Sequence, residues 1–205
     1  MRLLCAALLL LTCGREPVRS PQVAGKPVSN DPVFEVGLWP GEGIPVIATV
    51  RDTVVLRASP DPDGAVVGRL VLRSGHRIAY DSTRFQTIVP TRLRTENDVS
   101  VSGRYLGSLR YLSRDQYYSA AFGDTTVIVT AADTLEYLQY RAEGTCFVRV
   151  AFDVIDADPC PLRDTVRVRM LGHPATRWWV YVRMPEGTGW LMVSDTSAKV
   201  IDRTF

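Results

Sequence analysis

The sequence predicts an all-β protein with one short helix, and three observations carry that expectation. After residue 45, apolar and polar residues alternate with period two over run after run. Those runs are rich in the β-branched and aromatic residues that fit a pleated surface. Clusters of Pro, Asp, Ser and Gly separate them at short intervals. Short strands divided in this way predict one or two small barrels or a β-sandwich. With 46% hydrophobic and 22% charged residues, the 205-residue chain can bury a core.

The strands are expected at 47–50, 54–57, 66–72, 77–80, 85–89, 127–130, 135–141, 147–150, 165–170, 178–183 and 190–193. Alternation is clearest in Thr165-Val166-Arg167-Val168-Arg169-Met170, where Val166, Val168 and Met170 fall on one face and both arginines on the other. Turns are expected at Pro60-Asp61-Pro62-Asp63-Gly64, Ser74-Gly75, Glu143-Gly144 and Pro185-Glu186-Gly187-Thr188-Gly189. Ser113-Arg114-Asp115-Gln116 has capping-box spacing and predicts a helix of at most two turns before Gly123, connecting two β units.

The chain opens with Arg2, an apolar run from Leu3 to Leu11, then Thr12, Cys13 and Gly14. One positive charge before such a run is the layout of an export signal. As a helix, ten such residues span about 15 Å, half of a ~30 Å hydrocarbon core, which argues against a transmembrane anchor. Leu10-Leu11-Thr12-Cys13 resembles the lipobox of bacterial lipoproteins. The resemblance implies cleavage before Cys13, a lipid on Cys13, and anchoring in the cell envelope facing the periplasm or the cell surface. Thr12 departs from the Gly, Ala or Ser usual before the cysteine. An ordinary secretory cut after Gly14 is the alternative reading of the same small residues.

Cys5 would be discarded with the leader. Cys146 and Cys160 remain, and in an oxidising compartment an even pair reads as one disulfide, with two buried free thiols as the alternative. Between Gly14 and Pro45 lie six of the 13 prolines, a density that blocks helix and reads as an extended tether. Its last part, Phe34-Glu35-Val36-Gly37-Leu38-Trp39-Pro40, is apolar enough to dock as an edge strand. The expected organisation is a signal peptide over 1–12, a tether over 13–45, a first β unit over 46–113 and a second, disulfide-bearing unit over 114–205.

Within these units, Val54-Val55-Leu56-Arg57-Ala58-Ser59-Pro60, then Val66-Val67-Gly68-Arg69-Leu70, Gly75 and Ile78 resemble bacterial Src-homology-3-like domains. Trp179-Val180-Tyr181-Val182 followed by Gly189-Trp190-Leu191 is similar to that family's closing hairpin. The two halves stand more than a hundred residues apart, too far for one compact barrel, so two related small units are expected. The resemblance implies a binding module with a peptide, peptidoglycan or protein partner.

No enzyme signature emerges. His76 and His173 sit in turn or loop sequence, and no nucleophile-elbow pattern frames a serine. Asp153, Asp156 and Asp158, and the loop 61–64, lack calcium-loop spacing and read as turn formers. No metal and no cofactor is expected. A net charge of +2 offers no basic field for nucleic acid. The aromatic group Trp178, Trp179, Tyr181 and Trp190 is the best candidate for a ligand surface; alternation sends Trp178 and Trp179 to opposite faces, either one core and one partly exposed or both packed within a two-layer β structure. The expectation is a non-enzymatic, membrane-anchored envelope lipoprotein, with a structural or assembly subunit as the alternative and a small hydrolase behind both.

Overall fold

In the computed structural model, residues 30–204 are described; the signal peptide, Cys13 and the first half of the expected tether lie outside them. Of the described residues, 56% are in strands and 5% are helical, which gives the all-β class directly. In chain order the strands are β1 (Phe34–Val36), β2 (Ile44–Thr49), β3 (Thr53–Arg57), β4 (Val66–Val71), β5 (Arg77–Ile78), β6 (Tyr80–Val89), β7 (Thr91–Thr95), β8 (Val99–Gly107) and β9 (Tyr111–Leu112). The helix α1 (Arg114–Tyr118) comes next, then β10 (Asp124–Val129), β11 (Leu135–Tyr140), β12 (Cys146–Val150), β13 (Asp153–Ala157), a 3-10 turn (Pro161–Arg163), β14 (Val168–Met170), β15 (Ala175–Met184), β16 (Gly187–Val193) and β17 (Ala198–Thr204).

Two seven-stranded sheets dominate. The first runs β4-β3-β16-β15-β6-β1-β9 and the second β10-β8-β13-β12-β11-β7-β14, while β17-β2-β5 forms a small third sheet. Among the described residues no closed barrel forms, so the architecture is one of sheets packed on one another.

The expected separation of the two Src-homology-3-like halves is not what the chain does. β16 pairs with β3 through Trp190 and Arg57, and β3 pairs with β4 from Thr53 to Arg57. One apolar cluster joins Ile47, Val54, Leu56, Leu70 and Ile78 to Trp178, Val180, Val182, Leu191 and Ala198. A second cluster is drawn entirely from residues 93–168 and backs the second sheet. Residues 80–174 thus leave the first core along β6 and return to it along β15, whose register with β6 runs from Ala175–Val89 to Val182–Tyr80. Both large sheets take strands from either side of residue 113. Sequence distance was a poor guide because chain closure cost grows only as the logarithm of loop length.

Two local expectations are also corrected. The segment expected to end the tether as an edge strand is an interior one: β1 pairs antiparallel with β6 and parallel with β9. Phe34 and Val36 are buried, with Leu138, Phe147 and Val154 of the second sheet, in a third cluster that ties the sheets together. The Phe34 and Phe147 rings lie 5.2 Å apart. The clearest alternating run is only half strand: Val168 is buried, but Val166 is 75% exposed. Asp164 accounts for this, since its carboxylate accepts from the Arg167 backbone and pairs with its side chain, closing a turn over the first half of the run. The helix forms as expected, with both bonds of the Ser113–Gln116 capping box present.

The Cys146–Cys160 disulfide is formed. It links the start of β12 to the 3-10 turn and sits in the second core. Nearby, Asp156 is buried and ion-pairs with Arg141 Nε at 2.8 Å, while the Tyr117 hydroxyl donates to its other oxygen at 3.0 Å. Arg104 lies over the same tyrosine ring and bonds its carbonyl. This cluster fastens α1 to the second sheet.

Candidate functional site

Along β15 successive side chains must alternate between faces, and the structure shows what each face meets. Trp178, Val180 and Val182 enter the core shared by the two halves of the sequence. Trp178 Nε1 donates to Thr83 Oγ1 at 2.6 Å. Trp179, Tyr181 and Arg183 point the other way. On that outer face, Trp190 stands opposite both Arg57 and Tyr181, and Trp179 stands opposite Met192 and Arg84.

Trp178 and Trp179 are both buried, at 8% and 1% exposure, as in the reading that packs both, and neither is a partly exposed anchor. Trp179 is covered on its own face. Its Nε1 donates to Gln86 Oε1 at 3.0 Å, and Gln86 Nε2 donates onward to the Pro60 carbonyl at 2.9 Å and to Glu35 Oε2 at 2.6 Å. The loop carrying Pro60 and Pro62 thus lies against this part of the sheet. A buried indole N–H needs a partner, and Gln86, itself 3% exposed, supplies it.

Tyr181 and Trp190 are the members of the predicted aromatic group that stay half-exposed. Their rings meet edge to face at 5.2 Å. Arginines surround the pair. Arg183 lies 5.9 Å from the Tyr181 ring, and Arg84 lies 6.0 Å from the Trp190 ring and 3.9 Å above the Tyr111 ring. Arg84 is held there by Glu35 at 2.9 Å, which Gln86 holds in turn. Guanidinium stacked on aromatic faces is a rigid, weakly hydrated cation well suited to contact. Burial raises the Tyr111 pKa and the Arg84 charge opposes the rise, so this phenol stays protonated at neutral pH.

Beside this row, between β3 and β16, lies a cavity of ≈ 240 Å³. Trp179, Leu191, Met192 and Val55 line it with apolar surface, and Pro62 belongs to its wall. Arg51, Arg57, Thr53 and the hydroxyls of the turn at 194–197 complete the lining. Ser194 Oγ lies 2.9 Å from Ser197 Oγ and 3.2 Å from Thr196 Oγ1, so these hydroxyls form one connected group.

Sequence reasoning missed Arg57, Arg84, Glu35, Gln86 and Tyr111. Arg84 and Gln86 alternate with the inward Thr83 and Phe85, a signal the sequence did carry. Glu35 and Tyr111 could not be found that way, because only the parallel pairing of β1 with β9 brings them together. His76 and His173 are both exposed, and neither lies among the residues of this face. Among the described residues no group of three or more His, Cys, Asp or Glu is placed to hold a metal ion.

No protein-family profile matches the sequence, and no curated protein or solved structure shows significant similarity to it. The chemistry of this face must be read from its own residues.

Proposed function

We propose that the chain is an exported envelope lipoprotein, anchored through Cys13, that binds a peptide, peptidoglycan or protein partner on the outer face of its first sheet. In this reading the segments 44–78 and 175–204 act together as one Src-homology-3-like module, and residues 80–174 are an insertion within it. The observation that carries the reading is the half-exposed Tyr181–Trp190 ring pair flanked by Arg57, Arg84 and Arg183. Large aromatic rings and arginines are the residues that dominate binding energy at interfaces. Arg84 is also pre-positioned through Glu35 and Gln86, which lowers the ordering cost of binding.

Co-sedimentation of the full chain with isolated sacculi tests the binding face. Retention of the wild type and its loss in Tyr181→Ala/Trp190→Ala supports a cell-wall partner. Undiminished retention in that variant refutes the face. Mass spectrometry of the mature amino terminus tests the anchor: a diacylated or triacylated Cys13 supports it, and an unmodified Arg15 terminus removes it.

A second reading, a subunit of an envelope assembly, is favoured by the outer edge of β4. Among the described residues that strand pairs only with β3, and Val66, Val67 and Val71 on it are 49%, 53% and 77% exposed. Unpaired strand edges of this kind are templates for another chain. Retention by a purified envelope protein complex, but not by sacculi, selects this reading.

A further inference from the structure

We infer that the ≈ 240 Å³ cavity between β3 and β16 binds the free carboxylate end of a peptide, with Arg51 and Arg57 meeting the carboxylate and the last side chain lying on Val55 and Met192, next to the buried Trp179. The inference rests on the outer face of the first sheet being the binding face, and it names the group that face recognises.

Charge is the first argument. Two guanidinium groups border this cavity and no carboxylate does. The Arg51 guanidinium makes no hydrogen bond or ion pair among the described residues. Arg57 gives Nη1 to the Gly64 carbonyl at 2.6 Å and meets no acid. Three other concavities on the molecule differ in this respect. Those of ≈ 500 and ≈ 410 Å³ include Asp164 and Glu136, which already neutralise Arg167 and Arg149. That of ≈ 270 Å³ includes Asp133, whose carboxylate accepts from Thr130. Each of those three also carries an arginine outside these pairs, but only this cavity, of the four, sets two arginines in a lining without a carboxylate, and guanidinium with carboxylate is the strong, directional pairing that answers it.

Chemistry and size narrow the ligand further. The hydroxyls of Thr53, Ser194, Thr196 and Ser197 can donate to or accept from a ligand's polar groups. The floor is apolar, which a bare inorganic anion would leave wet. The volume falls below the ~300–1,000 Å³ typical of sites that enclose a drug-sized molecule. It therefore suits one end residue of a chain whose remainder continues along Arg57 and Trp190, its register partner. Capture of a terminal carboxylate is an established mode of peptide recognition.

The test uses the full chain in detergent, isotope-labelled, titrated with N-acetyl-Ala-Ala-Leu as free acid and as carboxamide while the Trp179 indole resonance is followed. The acid is expected to shift that resonance, with the amide at least about tenfold weaker because it lacks the charge-assisted pairing. The shift should weaken with added salt. Arg51→Gln/Arg57→Gln should abolish the acid's advantage while the indole resonance of Trp178, on the opposite face of the sheet, stays in place, showing an intact fold. Equal binding of acid and amide overturns the inference. So does an equal effect of inorganic phosphate, or of an amide-capped peptide carrying an internal Glu. If the peptide fails while sacculus retention still depends on Tyr181 and Trp190, the cavity assignment alone falls. If the peptide binds while that dependence is absent, the wider face falls instead.

Discussion

Replacing Gln86 by Leu should damage the chain far more when Trp179 is present than when it is Phe. Gln86 is 3% exposed and makes three bonds: it accepts from Trp179 Nε1 at 3.0 Å and donates to Glu35 and to the Pro60 carbonyl. Gln86→Leu leaves the Trp179 N–H buried without a partner, a cost of about 1–3 kcal/mol before the other two bonds are considered. Trp179→Phe leaves the Gln86 carbonyl oxygen stranded at a similar cost of ~1–3 kcal/mol. Loss of roughly 40 Å³ of ring adds about 1 kcal/mol at ~24 cal/mol per Å³ of cavity. In the double variant neither orphan exists, so its destabilisation should fall short of the summed single losses by both orphan costs, about 2–6 kcal/mol. Each kcal/mol corresponds to ~2–4 °C in melting temperature for a chain of this size. Urea unfolding of the four proteins, followed by far-ultraviolet circular dichroism, gives the cycle. Losses that add to within ~0.5 kcal/mol would refute the Trp179–Gln86 bond as the element that buries this indole.

Further expectations concern other parts of the molecule. Reducing the Cys146–Cys160 disulfide frees a 14-residue separation and should cost about 3 kcal/mol, read as a lower urea midpoint in dithiothreitol. A Cβ at Gly103 would meet the Asp156 carbonyl oxygen at 2.1 Å, so Gly103→Ala must push β8 from β13 and cost at least ~1–3 kcal/mol in the same assay. Burial raises the Asp156 pKa above the usual aspartate range, against the opposing charges of Arg141 and Arg104 and the Tyr117 hydroxyl. A raised folded pKa gives stability that is full below the unfolded value near ~3.9 and is lost as pH rises through the folded value. The wild type should therefore gain on Asp156→Asn as pH falls from neutral towards ~3.5; a difference that moves the other way would show that Arg141 outweighs burial.

Period-two patterning located the strands whose inward residues are aliphatic or aromatic, such as β3, β11 and β15, because their burial is written in local sequence. It missed β7, where Thr91 and Thr95 take buried positions on either side of Leu93, and β8, where Ser102 and Gly103 interrupt the pattern. Gly103 is small there because a neighbouring backbone approaches, a demand set by β13 about fifty residues later. The same limit applied to the candidate site. Tyr181 and Trp190 were legible as aromatic residues on a hairpin, but Arg57 joins them only through the β3–β16 pairing. That Trp179 as well as Trp178 would be buried could not be read, since the loop carrying Pro60 and Pro62 lies against Trp179 and its contact with Gln86 is long-range.

Under the proposed function, a partner binds the outer face of the first sheet, assembled from both ends of the described chain. Hydroxyl-radical footprinting of the full chain with and without sacculi tests it at the level of side chains. Slower oxidation of Tyr181, Trp190 and Met192 is expected in the bound state, with Phe152 and Tyr118, which are 85% and 69% exposed in the inserted region, unchanged. Protection of Phe152 or Tyr118 with Tyr181 and Trp190 unaffected would place the partner on the insertion and contradict it.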